Sequence, residues 1–375
     1  MIPYTHHTIA DEDVDAVSYA LRNGHLSTGR VVAEYEAAFA AAHGYAYAVA
    51  VNSGTAALYA ALRAVGIGAG DDVVTSPLTF VATANMIVAC GAKPIFADVD
   101  AATGCITYFT VRDALTDRTK LVMPVDYAGN IASVRRPRYV YPDSVACTWD
   151  ERIPIVVDAA QSAGVAAPSG IIRCYSTHAA KNMTTCEGGV AVTDNAELAE
   201  HMRWIRNHGV TTAAAERTSH AYDAVALGFN FRMPDPLAAL GISQLRRLEA
   251  FNRRRAEVAA AYDTAFNGET GVVKRAVTAS SNHLYVLTLD LGNLRVDRDA
   301  VYGELRRRGV GVNVHFKPVY LHSYYQGLGY QQGLCPNAEW LYARILSLPL
   351  YPSLSDADVA YVIDTVKAVL RENAA

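Results

Sequence analysis

Short apolar runs alternate with stretches of helical spacing through the first two-thirds of the chain. The apolar runs are four or five residues long, which predicts strands, and they cover residues 72–75, 94–97, 121–125, 153–157 and 190–193. Helical spacing separates several of these strands, as at 56–65 and 82–90. Strands that alternate with helices indicate an α/β domain with a mostly parallel sheet.

Helical spacing also begins the chain and marks the transition to its last third. Asp11 is placed to cap a helix that Gly24 ends and that carries an apolar stripe of Val14, Val17 and Leu21 on one face. Residues 237–265 are rich in Ala, Leu and Arg and predict one long helix. The predicted domains are a large α/β domain over 1–245, which includes the N-terminal helix, and a smaller α+β domain over 246–375. We expect a strand, a helix and two closing helices in the smaller domain, the first two at 283–287 and 298–308.

Composition narrows the class of protein. The chain has 375 residues, and its 33 basic and 37 acidic residues give a net charge of −4, which offers no electrostatic case for binding nucleic acid or an anionic membrane. The N-terminus lacks the pattern of a signal peptide, and no uninterrupted apolar stretch approaches the length of a membrane span. The six cysteines show no C-x-x-C spacing, so we expect free thiols and a cytoplasmic setting rather than a metal site.

An acidic residue and a lysine follow the strand pattern in an order that suggests a cofactor. Asp158 comes directly after the apolar run at 153–157, and Lys181 lies in a loop rich in Ser and Thr before the run at 190–193. Alone, the lysine reads as a solvated surface charge and the aspartate as a helix cap. Together they are what pyridoxal phosphate needs, because a lysine forms the Schiff base and an acid keeps the pyridine nitrogen protonated.

Two further segments fit the same cofactor without being specific to it. Ser53, Gly54 and Thr55 precede a predicted helix, where free N–H groups and the helix dipole can hold a phosphate, although the same residues also form ordinary N-caps. Phe80 follows the strand at 72–75 and can stack on a cofactor ring, although a phenylalanine in this position is more often part of the core.

These segments, taken in order, resemble the DegT/DnrJ/EryC1/StrS family of sugar aminotransferases over nearly the whole chain. The family is one of fold-type-I pyridoxal phosphate enzymes, so the resemblance implies a large domain with a mostly parallel sheet and a smaller α+β domain. The segments that carry the resemblance are 52–58, 79–84, 158–161, the Lys181 loop, 206–209, 230–233 and 314–318.

The resemblance implies a role for each cofactor residue. Lys181 would bind pyridoxal 5'-phosphate covalently and then move protons, and Asp158 would pair with the pyridine nitrogen. Gln161 would lie near the 3'-oxygen of the ring and Phe80 would stack on it. The phosphate would be held by three residues of the same chain and one of the neighbouring subunit, namely Gly54, Thr55, Ser176 and the neighbour's copy of Asn230. A homodimer with shared active sites would follow.

Within the family, the chain is most similar to the aminotransferases of pseudaminic acid biosynthesis. These transfer an amino group, with L-glutamate as the expected donor, to C4 of a UDP-linked 4-keto-6-deoxy-HexNAc. The segments that suggest this are 125–129, 281–285 and 314–325. Substrate contacts are then expected from Tyr4, Leu26, Ser27, Thr28, Gly29, His315, Phe316, Lys317 and Tyr325.

The chain also departs from its relatives, and alternatives remain open. Residues 130–152 lack a clear period and form either a substrate-contacting excursion or a surface loop, residues 161–174 are shortened, and Cys186 replaces a small residue. One alternative is an aminotransferase for a dTDP- or GDP-linked ketosugar. The others are a non-catalytic regulator with the same fold and a sugar 3-dehydratase, and the latter would carry histidine where this chain has Lys181.

Overall fold

A computed structural model describes residues 1–135, 152–167, 170–211, 220–274, 276 and 279–375. Most of the irregular segment at 130–152 lies outside the described residues, as does Cys147. The five cysteines within them are free thiols. No helix in the described part of the chain is both long and apolar enough to cross a membrane.

The secondary structure alternates between strands and helices up to the middle of the chain. The helices are α1 (Asp11–Asn23), α2 (Arg30–His43), α3 (Gly54–Ala64), α4 (Ala82–Ala89), α5 (Tyr108–Ala114), α6 (Ala196–Arg206), α7 (Asp235–Leu245), α8 (Leu248–Phe266), α9 (Arg298–Arg307), α10 (Ser323–Gly327), α11 (Pro336–Tyr342) and α12 (Asp356–Glu372). The strands are β1 (Tyr47–Val51), β2 (Asp72–Thr75), β3 (Lys93–Phe96), β4 (Thr119–Met123), β5 (Val156–Asp158), β6 (Ile172–Ser176), β7 (Gly189–Thr193), β8 (Val272–Val273), β9 (Tyr285–Leu289) and β10 (Ile345–Leu348).

The first seven strands form one twisted layer. Strands β1-β7-β6-β5 pair in that order, β3-β2-β4 pair beside them, and parallel bridges from Val122 to Ile155 and from Val125 to Asp158 join β4 to β5. Strand β7 is antiparallel to both of its neighbours, whereas the other pairs are parallel. The predicted α/β fold with a mostly parallel sheet is confirmed, and the C-terminal ends of β2, β4, β5 and β6 meet at one edge.

Helix α3 lies against this sheet and is buried over most of its length. Ser53 caps it by accepting a hydrogen bond from the Ala56 N–H at 3.1 Å, and the side chains from Ala56 to Leu62 are buried. Small alanine side chains let the helix pack closely on β6 and β7. The N-terminus of α3 is thereby fixed at the sheet edge where Asp158 lies.

A second sheet forms the core of the C-terminal part of the chain. Strands β8, β9 and β10 are antiparallel, in the order β10-β9-β8, and α8, α9 and α12 bury their apolar faces with them. The N-terminus joins this part, because Ile2 forms a parallel bridge with Val310. The division into domains at residues 245 and 246 remains a prediction.

The structure corrects three predictions about local structure. The long helix predicted at 237–265 is two helices, α7 and α8, which part at Arg246–Arg247, where Arg247 reaches Asp13. Asp11 does not cap α1: the cap position is Ala10, whose N–H is bound by the Asp13 carboxylate at 2.9 Å. The apolar stripe expected on α1 is not buried, since Val14 and Leu21 are both exposed.

A buried ion pair lies close to the edge of the sheet where Asp158 is found. Arg173 of β6 and Asp126, which follows β4, are both inaccessible to solvent and bind each other. The Asp126 carboxylate also accepts hydrogen bonds from the Ser162 hydroxyl at 2.6 Å and the Ala132 N–H at 3.0 Å. Charges buried in this way require a partner, because neither can be hydrated.

Replacing Arg173 by Met is expected to lower the free energy of unfolding by about 3–5 kcal/mol, since it leaves the Asp126 charge buried without its cation. The double variant Asp126→Asn/Arg173→Met is expected to recover a large part of the loss. Urea denaturation measures both. The control is Arg30→Ala, which removes an exposed pair with Glu34 and should cost less than about 1 kcal/mol. Equal losses for Arg173→Met and Arg30→Ala would contradict this account.

Candidate active site

Asp158 ends strand β5 and holds its carboxylate in the protein interior. The side chain is 5% exposed. Its oxygens accept hydrogen bonds from the Thr83 hydroxyl at 2.6 Å and the Ala160 N–H at 3.1 Å. Burial raises the pKa of the Asp158 carboxyl, while these hydrogen bonds and the charge of Lys181 oppose the rise. A cation placed beside Asp158 would therefore stabilise the ionised carboxylate.

Lys181 approaches Asp158 from the loop that joins β6 to β7. The loop is closed at its base, because the Thr177 N–H donates to the Gly188 carbonyl at 2.9 Å and the Thr185 N–H donates to the Thr177 carbonyl at 2.8 Å. A turn with a hydrogen bond from the Lys181 N–H to the His178 carbonyl presents the lysine. Burial lowers the pKa of Lys181 to about 8, against the attraction of Asp158.

The N-terminus of α3 and the end of β6 form a narrow cradle. A Cβ atom on Gly54 would come within 2.8 Å of the Ser176 Cβ, so only glycine lets the two elements approach this closely. Gly54 and Thr55 open an eleven-residue helix, whose first N–H groups have no partner within the helix. The cradle thus offers backbone donors, a hydroxyl and the positive end of a helix dipole.

Phe80 and Gln161 present groups suited to a planar ligand. Phe80 is 61% exposed, which is unusual for a phenylalanine, and its ring centroid lies 6.3 Å from that of Phe316. Gln161 is buried and its side-chain carbonyl accepts the Ala128 N–H at 2.7 Å. The structure gives the Gln161 amide nitrogen no hydrogen bond to a described residue, so this donor is available.

Three of the predicted substrate residues form an aromatic cluster that, together with Phe80, Asp158 and Lys181, makes up the candidate cleft. The Tyr4 ring lies 5.5 Å from the His315 ring, and Phe316 joins them to Phe80. The imidazole of His315 shares a hydrogen bond of 2.8 Å with the Ser347 hydroxyl, and burial together with the charge of Lys181 lowers its pKa to about 4. Lys317 follows them and is half-buried.

Other predicted residues lie elsewhere in the single chain. Tyr325 is 1% exposed, packs on Phe96 and donates its hydroxyl to Asn85, so it belongs to the core rather than to the cleft surface. The turn from Leu26 to Gly29 lies against α7, where the Gly29 N–H donates to the Asp235 carboxylate at 2.8 Å. The exposed Asn230 is joined to the cradle through its backbone, since the Asn52 amide donates to the Asn230 carbonyl at 3.2 Å.

Some residues at the site were absent from the sequence-based prediction. Thr83 binds Asp158, and Asn182 and His283 lie beside Lys181 and share a hydrogen bond of 2.9 Å. Thr83 lies four residues after Thr79, with which it also shares a hydrogen bond, and this helical spacing was the available signal. Cys186 is exposed in the Lys181 loop at a φ of 64°, a backbone region that favours glycine.

Comparisons with known proteins agree with this geometry. The family model described as the DegT/DnrJ/EryC1/StrS aminotransferase family matches residues 7–367. The spore coat polysaccharide biosynthesis protein SpsC of Bacillus subtilis is 39% identical, with 99% of this chain and 97% of SpsC covered. Among solved structures, Helicobacter pylori PseC, an aminotransferase of pseudaminic acid biosynthesis, gives a TM-score of 0.88 at 27% identity, with 99% of each chain covered. The PLP form of the sugar aminotransferase Spr1654 from Streptococcus pneumoniae gives 0.86 at 28% identity, again with 99% of each covered.

The residues of the cleft fit pyridoxal phosphate. The cradle of Gly54, Thr55 and Ser176 suits a phosphate, and the exposed Phe80 offers a face for a ring. Between them, Asp158 provides a buried carboxylate, and Lys181 provides an amine with a lowered pKa. The donor set thus matches the phosphate, the ring, the ring nitrogen and the carbonyl of the cofactor.

In the cofactor-free protein, Lys181 is expected to react with acetic anhydride with a midpoint near pH 8, because burial lowers its pKa to about 8. The variant Asp158→Asn removes the negative charge that raises this pKa, so its midpoint should fall below that of the wild type. Mass spectrometry of the Lys181 peptide across pH gives the midpoint, with exposed Lys120 as the reference for the reagent. An unchanged or higher midpoint in Asp158→Asn would show that the two charges do not interact.

Proposed function

We propose a substrate for this chain, which belongs to the DegT/DnrJ/EryC1/StrS aminotransferase family and uses pyridoxal phosphate. In this proposal the enzyme transfers an amino group from L-glutamate to C4 of a nucleotide-linked 4-keto-6-deoxy sugar, with UDP-4-keto-6-deoxy-HexNAc as the first candidate. The observation that carries it is the position of Lys181 and Asp158 in one cleft, whose other wall is formed by Tyr4, His315 and Phe316.

The proposed chemistry divides between the cofactor and the chain. Pyridoxal phosphate, when bound, supplies an electron-withdrawing ring that stabilises negative charge on the carbon next to the transferred nitrogen. Asp158 keeps the proton on the ring nitrogen, and its own hydrogen bonds from Thr83 and Ala160 fix its orientation. Lys181 would hold the cofactor, and its released amine would accept the proton from the substrate carbon and pass it to the cofactor's C4' carbon.

The environment of Lys181 suits this proton transfer. A lysine with a pKa near 10.5 would be almost wholly protonated at neutral pH and could not accept a proton. Burial lowers the pKa of Lys181 to about 8, so an appreciable fraction of the amine is neutral near pH 7. The remaining cofactor contacts in the proposal are Gln161 with the 3'-oxygen, Phe80 with the ring face, and Gly54, Thr55 and Ser176 with the phosphate.

The opposite wall of the cleft is proposed to hold the sugar nucleotide. Tyr4, His315 and Phe316 offer aromatic surface, and Lys317 offers a positive charge suited to a diphosphate. The relatives support a sugar substrate, since SpsC is named for spore coat polysaccharide biosynthesis and PseC for pseudaminic acid biosynthesis. A contribution from Tyr325 would be indirect, through the packing of the wall, because its side chain is buried.

A homodimer with shared sites is proposed from the residues that lie apart from Lys181. Three residues of the turn, Ser27, Thr28 and Gly29, line a groove of about 1240 Å³, which also includes Asn207 and Arg232. Four apolar side chains are exposed in the stretch just before Asn230, namely Tyr222, Val225, Leu227 and Phe229. A second copy that covers this surface would bring Asn230 to the partner's phosphate cradle and the turn to the partner's substrate.

The alternatives differ in the residues that they need. A 3-dehydratase of this family would carry histidine at position 181, and this chain has lysine. A regulator without catalysis would not need the lowered pKa of Lys181 or the oriented carboxylate of Asp158. A dTDP- or GDP-linked ketosugar would use the same catalytic residues and differ only at the nucleotide. A cytoplasmic location remains a prediction.

The visible absorption band of the cofactor-loaded protein is expected to disappear when a UDP-4-amino-4,6-dideoxy-HexNAc is added, because the reverse transfer carries the amino group to the cofactor. Lys181→Ala should fold and yet lose transamination by at least about 10³-fold, since it lacks the proton-transfer group. Absorption spectroscopy and product analysis measure both. Bleaching with dTDP- or GDP-linked aminosugars alone would reassign the nucleotide, and normal turnover by Lys181→Ala would sink the mechanism.

Mixed dimers are expected to restore activity if sites are shared. Lys181→Ala removes the proton-transfer group, and Asn230→Asp places a negative charge against the partner's phosphate, so each homodimer should be inactive. A mixed dimer contains one site with both native residues, so random mixing should recover about a quarter of wild-type activity. Purified variants are unfolded, mixed, refolded and assayed, with each refolded variant alone as the control. Recovery no greater than in these controls would rule out a shared site.

A further inference from the structure

A chain of side-chain amides leads from the backbone to the neighbour of the catalytic lysine. The Asn252 amide donates to the Ala163 carbonyl at 2.9 Å, and the Asn252 side-chain oxygen accepts from the Asn182 amide at 2.8 Å. The Asn182 amide also donates to the Ser281 carbonyl at 3.0 Å. The Asn182 oxygen lies 2.9 Å from Nδ1 of His283. Asn182 directly follows Lys181, so this row of hydrogen-bonded amides lies beside the Lys181 amine.

The donor and the acceptor of each hydrogen bond among these amides follow from the groups involved. Backbone carbonyls only accept, so the nitrogen of each asparagine amide must face the Ala163 or Ser281 carbonyl. The oxygen of Asn182 is therefore the atom that faces His283. Since that oxygen can only accept, Nδ1 of His283 carries the proton and donates it to Asn182.

The second ring nitrogen of His283 is consequently a hydrogen-bond acceptor. Burial lowers the pKa of His283 well below its usual range, and the charges of Lys181, Arg255 and His315 lower it further, so the ring is neutral. A neutral ring with its proton on Nδ1 has a lone pair on Nε2. The side chain is 7% exposed, and Nε2 has no hydrogen bond to a described residue.

His43 provides a comparison, because both of its ring nitrogens are used by the fold. Nδ1 of His43 lies 2.9 Å from the Phe39 carbonyl, and its Nε2 accepts the Gly164 N–H at 3.1 Å. Both ring nitrogens of His43 are thus occupied by the protein backbone. His283 has the same tautomer, but its Nε2 has no hydrogen bond to a described residue and its ring lies within electrostatic range of Lys181 and His315, so its second nitrogen is available to a ligand.

We propose that His283 is a specificity-determining residue, which Asn182 fixes as an acceptor so that Nε2 binds an O–H or N–H group of the substrate beside Lys181. This inference rests on the proposed aminotransferase function and deepens it. A sugar hydroxyl and the ammonium group of the amino donor are the two sources of such a group. A carboxylate or a keto oxygen is disfavoured at this position, because two acceptors would face each other without a proton.

Nuclear magnetic resonance of the cofactor-free protein tests the fixed tautomer without any assay of activity. Protein labelled with ¹⁵N-histidine gives separate signals for protonated and unprotonated ring nitrogens, and the His283→Asn variant assigns those of His283. We expect His283 to be neutral with its proton on Nδ1, as is expected for His43 in the same spectrum. A proton on Nε2 or a charged ring at neutral pH would overturn the proposal.

Two variants separate the two nitrogens of the ring. In His283→Asn, the amide can take the place of Nδ1 and keep the bond to Asn182, but no acceptor remains at the position of Nε2. In His283→Gln, the longer side chain can place its oxygen near the position of Nε2. Each half-reaction is followed by stopped-flow absorption, with amino donor or nucleotide sugar varied separately, and circular dichroism checks folding. His43→Asn is the matched control for replacement of a histidine whose nitrogens both serve the fold.

His283→Asn is expected to raise KM about tenfold in one half-reaction with a smaller change in kcat, and His283→Gln to recover part of the loss. A rise for the nucleotide sugar identifies a hydroxyl as the bound group, and a rise for the donor identifies the ammonium. Unchanged KM in both half-reactions overturns the proposal while the proposed function stands. A wild-type enzyme that transfers no amino group to any ketosugar would instead remove the proposed function.

Discussion

Two opposite charges must be held at one buried edge of the sheet, and the rest of the site is arranged around this constraint. Asp158 and Lys181 come from neighbouring strands, β5 and the loop after β6, and each is poorly hydrated. Their mutual attraction and the hydrogen bonds to Asp158 offset part of the cost of burial. The remaining cost favours a ligand that brings a cation to Asp158, which is what a protonated pyridine ring does.

Two further networks near the same edge set the charge and the orientation of groups around Asp158 and Lys181. Asp126 is a second carboxylate close to Asp158, and Arg173 neutralises its charge. The main negative charge that acts on Lys181 is therefore that of Asp158. The hydrogen-bonded amides between the Ala163 carbonyl and His283 fix which ring nitrogen of His283 carries the proton. Both networks are made of side chains whose partners are far apart in sequence, and they are closed only by the folded sheet.

That distance in sequence explains what could be predicted and what could not. Strand β5 was visible as an apolar run, and Asp158 and Lys181 were visible because their residue types follow such runs. Strands β1 and β6 were not predicted: β1 reads Tyr-Ala-Val-Ala-Val without a polar alternation, and β6 contains Arg173, whose burial depends on Asp126. The break between α7 and α8 was likewise hidden, because Arg247 binds Asp13 from the other end of the chain. His283 lies in the segment 281–285, which contributes to the resemblance, but its tautomer follows only from its contact with Asn182.

The loop that carries Lys181 also carries Cys186, the exposed thiol among the five described cysteines. The other four are buried, and burial raises the pKa of each of their thiols, so they react slowly with thiol reagents. A maleimide fluorophore therefore has an accessible attachment point five residues from Lys181. Among the described cysteines the chain thus carries its own labelling position, from which the arrival of pyridoxal phosphate can be followed by fluorescence.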